Sequence, residues 1–419
     1  MPLRNKKYLG AAVSCIVLLI AAGCSSSSSS STTTTSTSGS STGSGGSKTY
    51  TVGLLSDQTG PGASESATTV LGVKAGIGVA ATMGYKIKYI AADTATSPTQ
   101  ALTAAQQLVE QDHVFAVIGS SALLFSAAPY LTSNGIPVVG GAFDSSEWLK
   151  PSSYNMFSVI GNQDFTKVYT TTGLFLKSQS VTNLGSVGYS VSPSSAAAAR
   201  ASAVSAEAAG IKSGYLNDSF PFGSTNVAPV ALAMKSAGVN GLVADTEPST
   251  VFALATALEQ QGVHLKATML PTGGGGDLIN SGPTAIQAAQ GADFLSDFEP
   301  PEMHTGATQK LQSALATYAG VHTDPTFAEY IGYLSVLGLV QGIQGAGANP
   351  TQSSTIKALS NITDYDAEGL WGGHQTVDWS QRPQGRTECF WMTKLSGSTF
   401  QLISGSTPVC GTQIPGKSV

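Results

Sequence analysis

The sequence predicts an α/β protein built of two doubly wound parallel-sheet lobes in tandem. Three observations carry that expectation. Short apolar runs of strand length alternate with helix-length amphipathic segments from about residue 50 to residue 298. Small polar loops follow the runs, as at 119–121, 140–144 and 271–276, on the carboxyl edge where open α/β sheets bind ligands. The alternation also restarts once, after an extended crossover at 154–160, and continues for a similar length.

The first lobe opens with a strand at 50–56 and the turn-rich loop Asp57-Gln58-Thr59-Gly60-Pro61-Gly62. Residues 68–83 carry Val70, Leu71, Val73, Ile77, Val79 and Ala80 at helical spacing, and Gly84 ends that helix. A strand at 86–92 reaches Asp93-Thr94, and Pro98 is a first-turn proline for a helix to 111. Residues 114–144 then form one βαβ unit: strand 114–118, loop Gly119-Ser120-Ser121, helix 122–133, the Asn134-Gly135 stop, strand 136–139 and loop 140–144. Beyond the crossover, helices are expected at 165–177, 194–209, 226–237 and 249–261, and strands at 185–189, 212–215, 241–244 and 268–270. A second crossover at 292–298 returns the chain to the first lobe, with helices at 306–319, 326–345 and 352–359. A strand at 376–379 crosses a third time, and two apolar runs around Ser396-Gly397-Ser398 read as a closing β-hairpin. The expected lobes are 48–160 with 299–375, and 161–298 with 376–415.

Ahead of this body stand a basic start (Arg4, Lys6, Lys7), an apolar run at 8–22 broken by Ser14, and small residues before Cys24. That is an export signal, too short in its apolar stretch to span a bilayer, which needs ~20 residues. A cysteine in that place resembles the bacterial lipobox, which implies that 1–23 is removed and Cys24 is lipidated. Every residue from 25 to 47 is Ser, Thr or Gly, a composition that cannot bury a core. As a tether it spans roughly 25–30 Å. Losing the signal removes three cations and no acid, so the formal charge goes from −5 to −8. An acidic chain without a Lys/Arg run is not built for nucleic acid. Cys389 and Cys410 remain, and an oxidising exterior favours a disulfide between them over two free thiols.

Motifs for catalysis are weak. Gly411 to Ser418 fits G-x-x-x-x-G-K-[ST], but the chain ends at Val419, leaving no helix to present N–H groups to a phosphate. The single G-x-S-x-G, at 39–43, lies in the tether and cannot form a nucleophile elbow. Gly76 and Gly78 sit inside the first helix, which points to close packing and not to a dinucleotide loop. His113, His264, His304, His322 and His374 are dispersed, with no metal-binding spacing. The four glycines 273–276 are either an anion cradle or a flexible turn. No enzyme activity, cofactor or metal is expected.

Taken in order, Asp57-Gln-Thr-Gly60-Pro61, Asp93…Pro98…Ala101 and Ile118-Gly119-Ser120-Ser121…Asn134-Gly135-Ile136-Pro137 resemble the leucine/isoleucine/valine-binding solute-binding proteins of ABC importers. The resemblance covers 48 to about 410. It implies a type I periplasmic-binding fold whose lobes, joined by three hinge crossovers, close on a small molecule, and a membrane permease as partner. It also implies a lipid-anchored monomer on the outer face of the bacterial cytoplasmic membrane. By the same resemblance Ser121, with Ser120 adjacent, binds a ligand carboxylate. Ala142, Phe143 and Asp144 supply the next loop, and Ser64 or Glu65 the first pocket residue. Tyr189 ends a second-lobe strand, and Thr246 beside Glu247 falls where an aromatic is usual. The acid that pairs with a ligand ammonium maps to Gly273-Gly274, which carry no charge. Either Asp144, Glu247 or Glu65 replaces that acid, or the ligand is an amide, a small carboxylate or another polar metabolite. A ligand sensor of the same fold that serves no transporter is the alternative, and a secreted hydrolase a remoter one.

Overall fold

The computed structural model describes residues 48–161, 167–381, 389–403 and 405–419. The signal, the tether and Cys24 lie outside those residues, as does the start of the helix expected at 165–177. The first sheet is built from β1 (Thr49–Ser56), β2 (Lys86–Asp93), β3 (Ala116–Ser120), β4 (Val138–Gly140) and β5 (Met156–Ser158). Helices α1 (Ala63–Ser66), α2 (Thr69–Thr82), α3 (Pro98–Glu110) and α4 (Ala128–Ser133) connect them. The strand order is β2-β1-β3-β4-β5, with every pairing parallel. Ser97 caps α3 by accepting the Gln100 N–H, and Pro98 occupies its first turn, where a missing N–H costs nothing.

The second sheet follows α5 (Thr171–Ser178). Its first four strands are β6 (Asn183–Tyr189), β7 (Lys212–Phe220), β8 (Gly241–Asp245) and β9 (Thr268–Leu270), separated by α6 (Pro193–Ala208), α7 (Ala228–Ala237) and α8 (Pro248–Gln260). Short helices α9 (Gly276–Ser281) and α10 (Pro283–Ala288) lead to β10 (Asp293–Ser296). The chain then crosses back to the first lobe for α11 (Gly306–Ala319), α12 (Phe327–Gly345) and α13 (Gln352–Leu359). It returns for β11 (Cys389–Ser396), β12 (Thr399–Leu402) and β13 (Val409–Cys410). The parallel part runs β7-β6-β8-β9-β10, the same 2-1-3-4-5 order as the first sheet, and β11 and β12 extend it antiparallel. Cys389 and Cys410 stand opposite each other in the β11–β13 pair and are joined as a disulfide.

Alternate strand residues go to opposite faces, so each sheet carries two cores. In the first lobe Leu54, Ile118 and Val139 face α12 while their neighbours Leu55, Val117 and Val138 face the Trp148 side. In the second, Leu242 and Ala244 face one way and Val243 the other. Helix α12 is apolar on nearly all sides and correspondingly buried. It packs on α2 through glycines. A methyl at Gly72 would lie 2.1 Å from the Glu329 carbonyl oxygen, one at Gly76 2.7 Å from Val336 Cβ, and one at Gly332 2.3 Å from the Thr69 carbonyl oxygen. Gly78 likewise leaves room for the Tyr318 ring. Close packing therefore accounts for the glycines of α2.

Several expectations need correction. The helix expected at 122–133 is only the six-residue α4 preceded by a 3₁₀ turn at Leu124–Ser126. The Ser121 hydroxyl and Ala122 N–H are bound to Asp57, and the Ser126 hydroxyl to the Pro98 carbonyl, so the chain cannot turn helical until after Ser126. Ahead of α5, Tyr169 bridges Gln413, and Thr170 N–H and the Val168 carbonyl pair with Thr412 and Ile414 of the tail, so the helix begins only at Thr171. That pairing uses the stretch that imitates a phosphate loop. The strand expected at 376–379 does not form. Val377 makes an isolated bridge to Tyr365, and Trp379 stays in the first core, its indole N–H donating to the Ser158 carbonyl at 3.0 Å. Residues 292–298, expected as a bare crossover, include β10. Among the described residues no helix is long and apolar enough to cross a membrane.

Candidate functional site

In a 2-1-3-4-5 sheet the order reverses between the first and third strands, and ligands bind at the carboxyl ends there. In the first lobe those ends are Ser56-Asp57 and Ser120-Ser121. In the second they are Tyr189 and Asp245-Thr246-Glu247. The two edges face each other across a cavity of about 220 Å³, large against the ~30 Å³ of one water molecule. Both lobes and the hinge segment line it: Glu65, Ala122, Phe143 and Phe327 on one side, Tyr189, Ser194, Asp245, Glu247 and Thr272 on the other, with Lys167 and Asp297 among its walls. The small side chains of α6, Ala198, Ala201, Ser202 and Ser205, carry the space on into the second lobe.

Hydrogen bonds cross this cleft. Thr272 Oγ1 donates to Glu65 Oε1 at 2.9 Å, and Ser194 Oγ donates to the Phe143 carbonyl at 2.6 Å. Phe327 N–H donates to Asp277 Oδ2 at 3.0 Å, and Gly276 N–H to the Pro325 carbonyl at 3.2 Å. The lobes are therefore closed over the cavity.

Its carboxyls are unusual. Burial pushes Glu65 up to about 7, with the Thr272 hydroxyl opposing and the charges of Glu247 and Asp57 adding. Burial alone raises Asp245 to about 7, and burial does the same to Glu247 against weak polar neighbours. Asp245 Oδ2, Thr246 Oγ1 and both carboxyl oxygens of Glu247 are buried without completing a hydrogen bond. Tyr189 is locked below them: its hydroxyl accepts the Glu247 N–H at 2.8 Å and its own N–H donates to Ser195 Oγ at 2.8 Å.

Of the residues expected at the site, Glu65, Phe143, Tyr189, Thr246 and Glu247 line the cavity. Ser120, Ser121, Ala142 and Asp144 are buried beside it and are not among its walls. Ser120 Oγ accepts from Thr69 Oγ1 at 2.9 Å. Ser121 Oγ donates to Asp57 Oδ1 at 3.0 Å, in a set that also brings Ala122 N–H to Oδ2 at 2.8 Å, Thr96 N–H to Oδ1 at 2.9 Å, and the Thr94 hydroxyl. Asp144 accepts the Trp148 indole N–H at 2.7 Å, and burial raises it to about 7. Gly273 and Gly274 line a smaller recess with Phe294 and Tyr330. Gly273 has φ +86° and Gly276 spends its N–H on Pro325, so the glycine run is a close-packed turn. Asp245, Ser194, Thr272, Phe222 and Phe327 were not singled out from sequence. The Asp245-Thr246-Glu247-Pro248 run, polar residues between a strand and a first-turn proline, was the legible signal for Asp245.

Two lobes of this order, linked by three crossovers with a cavity between their carboxyl edges, make the type I periplasmic-binding fold. A family model described as periplasmic binding protein matches residues 49–399, and the chain belongs to that family. Its fold is shared by a leucine-binding protein from Thermotoga maritima, at 13% identity and TM-score 0.69, covering 85% of this chain and 98% of that one. Two solute-binding proteins of ABC transporters from R. palustris are also similar. One, in complex with benzoate, has 13% identity and TM-score 0.71 over 89% and 99% of the two chains. The other, in complex with 4-hydroxybenzoate, has 15% identity and TM-score 0.69 over 87% and 97%. No curated protein matches the sequence.

Proposed function

We propose that the chain is an exported, lipid-anchored solute-binding protein that captures a small polar metabolite in the interlobe cavity and delivers it to the permease of an ABC importer. The observation that carries this reading is the closed cavity at the carboxyl edges of both sheets, bridged by Thr272–Glu65 and Ser194–Phe143. Only the closed form offers both walls at once, so a ligand shifts the hinge equilibrium toward closure, and closure presents the surface that the permease reads. Glu65, Phe143, Tyr189, Thr246 and Glu247 contact the ligand; Ser120, Ser121, Ala142 and Asp144 frame that wall, and the Gly273-Gly274 turn shapes its rim. Cys24 bears the lipid, and the Ser/Thr/Gly segment holds the body off the membrane. A thermal-shift screen of the full chain against amino acids, amides, ureas, amines and small carboxylates tests the binding reading. A hit is expected to disappear in Ser194→Trp, which fills the cavity, and binding that survives this substitution refutes the site. Cys24→Ala should move the protein from the membrane fraction to the soluble one.

A further inference from the structure

The charged groups on the cavity wall are mostly acids. Glu65, Asp245, Glu247 and Asp297 line it against the single ammonium of Lys167, counted among the described residues. Three of the hydroxyl hydrogens on its wall are committed within the protein, while Thr246 Oγ1 completes no hydrogen bond. Ser194 donates to the Phe143 carbonyl and Ser195 to the Asp245 carbonyl, so both present lone pairs to the cavity. Thr272 donates to Glu65. Asp245 Oδ2 is buried without completing a hydrogen bond, and the Glu247 carboxyl, on a residue only 3% exposed, meets only weak contacts from its own N–H, the Gly223 N–H and Thr250. Carboxyls placed so either take up a proton or call for a compensating charge or donor.

The donors suited to a ligand carboxylate are taken by the protein itself. Ser121 Oγ, Ala122 N–H, Thr96 N–H and the Thr94 hydroxyl all converge on Asp57, which is fully buried. Asp57 thus stands where an incoming anion would find its partners. In their place the walls offer aromatic faces, one pair from each lobe. Phe143 meets Phe327 edge to face at 6.0 Å, and Tyr189 meets Phe222 at 4.8 Å. Carboxyls combined with aromatic rings are the chemistry that receives alkylated ammonium and related ions.

We infer that the ligand of this cavity is an organic cation, an alkylammonium, amidinium or guanidinium that carries no carboxylate, held between the two aromatic pairs and the Asp245–Glu247 carboxyls. This rests on the cavity being the ligand site. A zwitterionic amino acid fits less well because its carboxylate would face mainly acids, and the four donors gathered at the β1 and β3 ends are bound to Asp57. A neutral amide satisfies some acceptors and leaves the charge unbalanced.

The test titrates the full chain by calorimetry at low salt with choline, tetramethylammonium, agmatine, benzamidine and phenethylammonium. The matched probes are benzamide, benzoate, phenylacetate, leucine and phenylalanine. At least one cation is expected to bind tenfold or more tighter than any neutral, anionic or zwitterionic probe. Glu247→Gln and Asp245→Asn are each expected to weaken it tenfold or more, and far-UV circular dichroism checks that both variants fold. Absence of binding by every cation, or tighter binding of benzoate, an amide or an amino acid, overturns the inference. So does a cation whose affinity is unchanged in both isosteric variants. Ser194→Trp, with Thr172→Trp as a second blocking variant on α5, separates the two readings. An anion or amide lost in these variants refutes the cation and leaves the cavity as the ligand site, whereas any ligand retained in both refutes both readings.

Discussion

Replacing Asp57 by Ala removes one carboxylate and strands four donors: the Thr94 and Ser121 hydroxyls and the Thr96 and Ala122 amides. Hydrogen bonds to a charged group contribute roughly 1.5–3 kcal/mol each, and four on one carboxylate are not additive. Breaking a buried charged partnership costs about 3–5 kcal/mol, and that is the loss expected here. At about 2 °C per kcal/mol for large domains, the unfolding midpoint should fall by roughly 6–10 °C. Calorimetric melting of the full chain measures it. The hole left is a ready-made anion site, so formate or acetate should restore part of the midpoint in Asp57→Ala and leave the unmodified protein unmoved. A loss below about 1 kcal/mol would show that the carboxylate does not tie the β1, β2 and β3 loops together. The claim that the lobe's anion donors are internally occupied would then fail.

Two further outcomes follow from the same geometry. Burial raises Glu65, Asp245 and Glu247 to about 7, and Asp277 well above its ordinary value, with Asp57, Glu329, Asp297 and Lys167 among the charged groups around them. Once the lobes part, these carboxyls regain ordinary values of about 4. Raised values in the closed form mean that their contribution to closure is complete below about pH 4 and is lost as the pH rises through about 7. The radius of gyration of the ligand-free protein should therefore grow between pH 5 and pH 8, and equal small-angle scattering at both would sink the idea. Gly72→Ala places a methyl 2.1 Å from the Glu329 carbonyl oxygen, backbone that cannot step aside. The expected cost is about 1–3 kcal/mol of overpacking, and an unchanged melting midpoint would contradict the α2–α12 contact.

Much of the architecture was legible in the residue order, because helix and strand periods and Gly/Pro punctuation are local signals. The runs at 268–270, 306–319 and 352–359 became elements with those same bounds. The glycines inside α2 read correctly as packing residues for the same reason, since a dinucleotide loop needs a position at the helix start that they do not hold. The site was legible only in part. Thr246 and Glu247 were reached through the family resemblance, which maps a ligand contact to the loop that follows β8. Ser121 and Asp144 sit on the right edge, yet their side chains turn to Asp57 and Trp148.

The amino-acid order alone therefore determined that this protein has two α/β lobes with polar loops at their carboxyl edges, and that Cys389 and Cys410 close its final strands. Backbone preference and burial of apolar faces act over a few residues and leave their period in the chain. Tertiary structure decided which polar atoms remain for a ligand. Asp57 reaches Ser121 across 64 positions and Thr272 reaches Glu65 across 207, so whether a hydroxyl is committed or free depends on how distant segments meet. That pairing turned an edge expected to receive a carboxylate into a wall of carboxyls and aromatic rings.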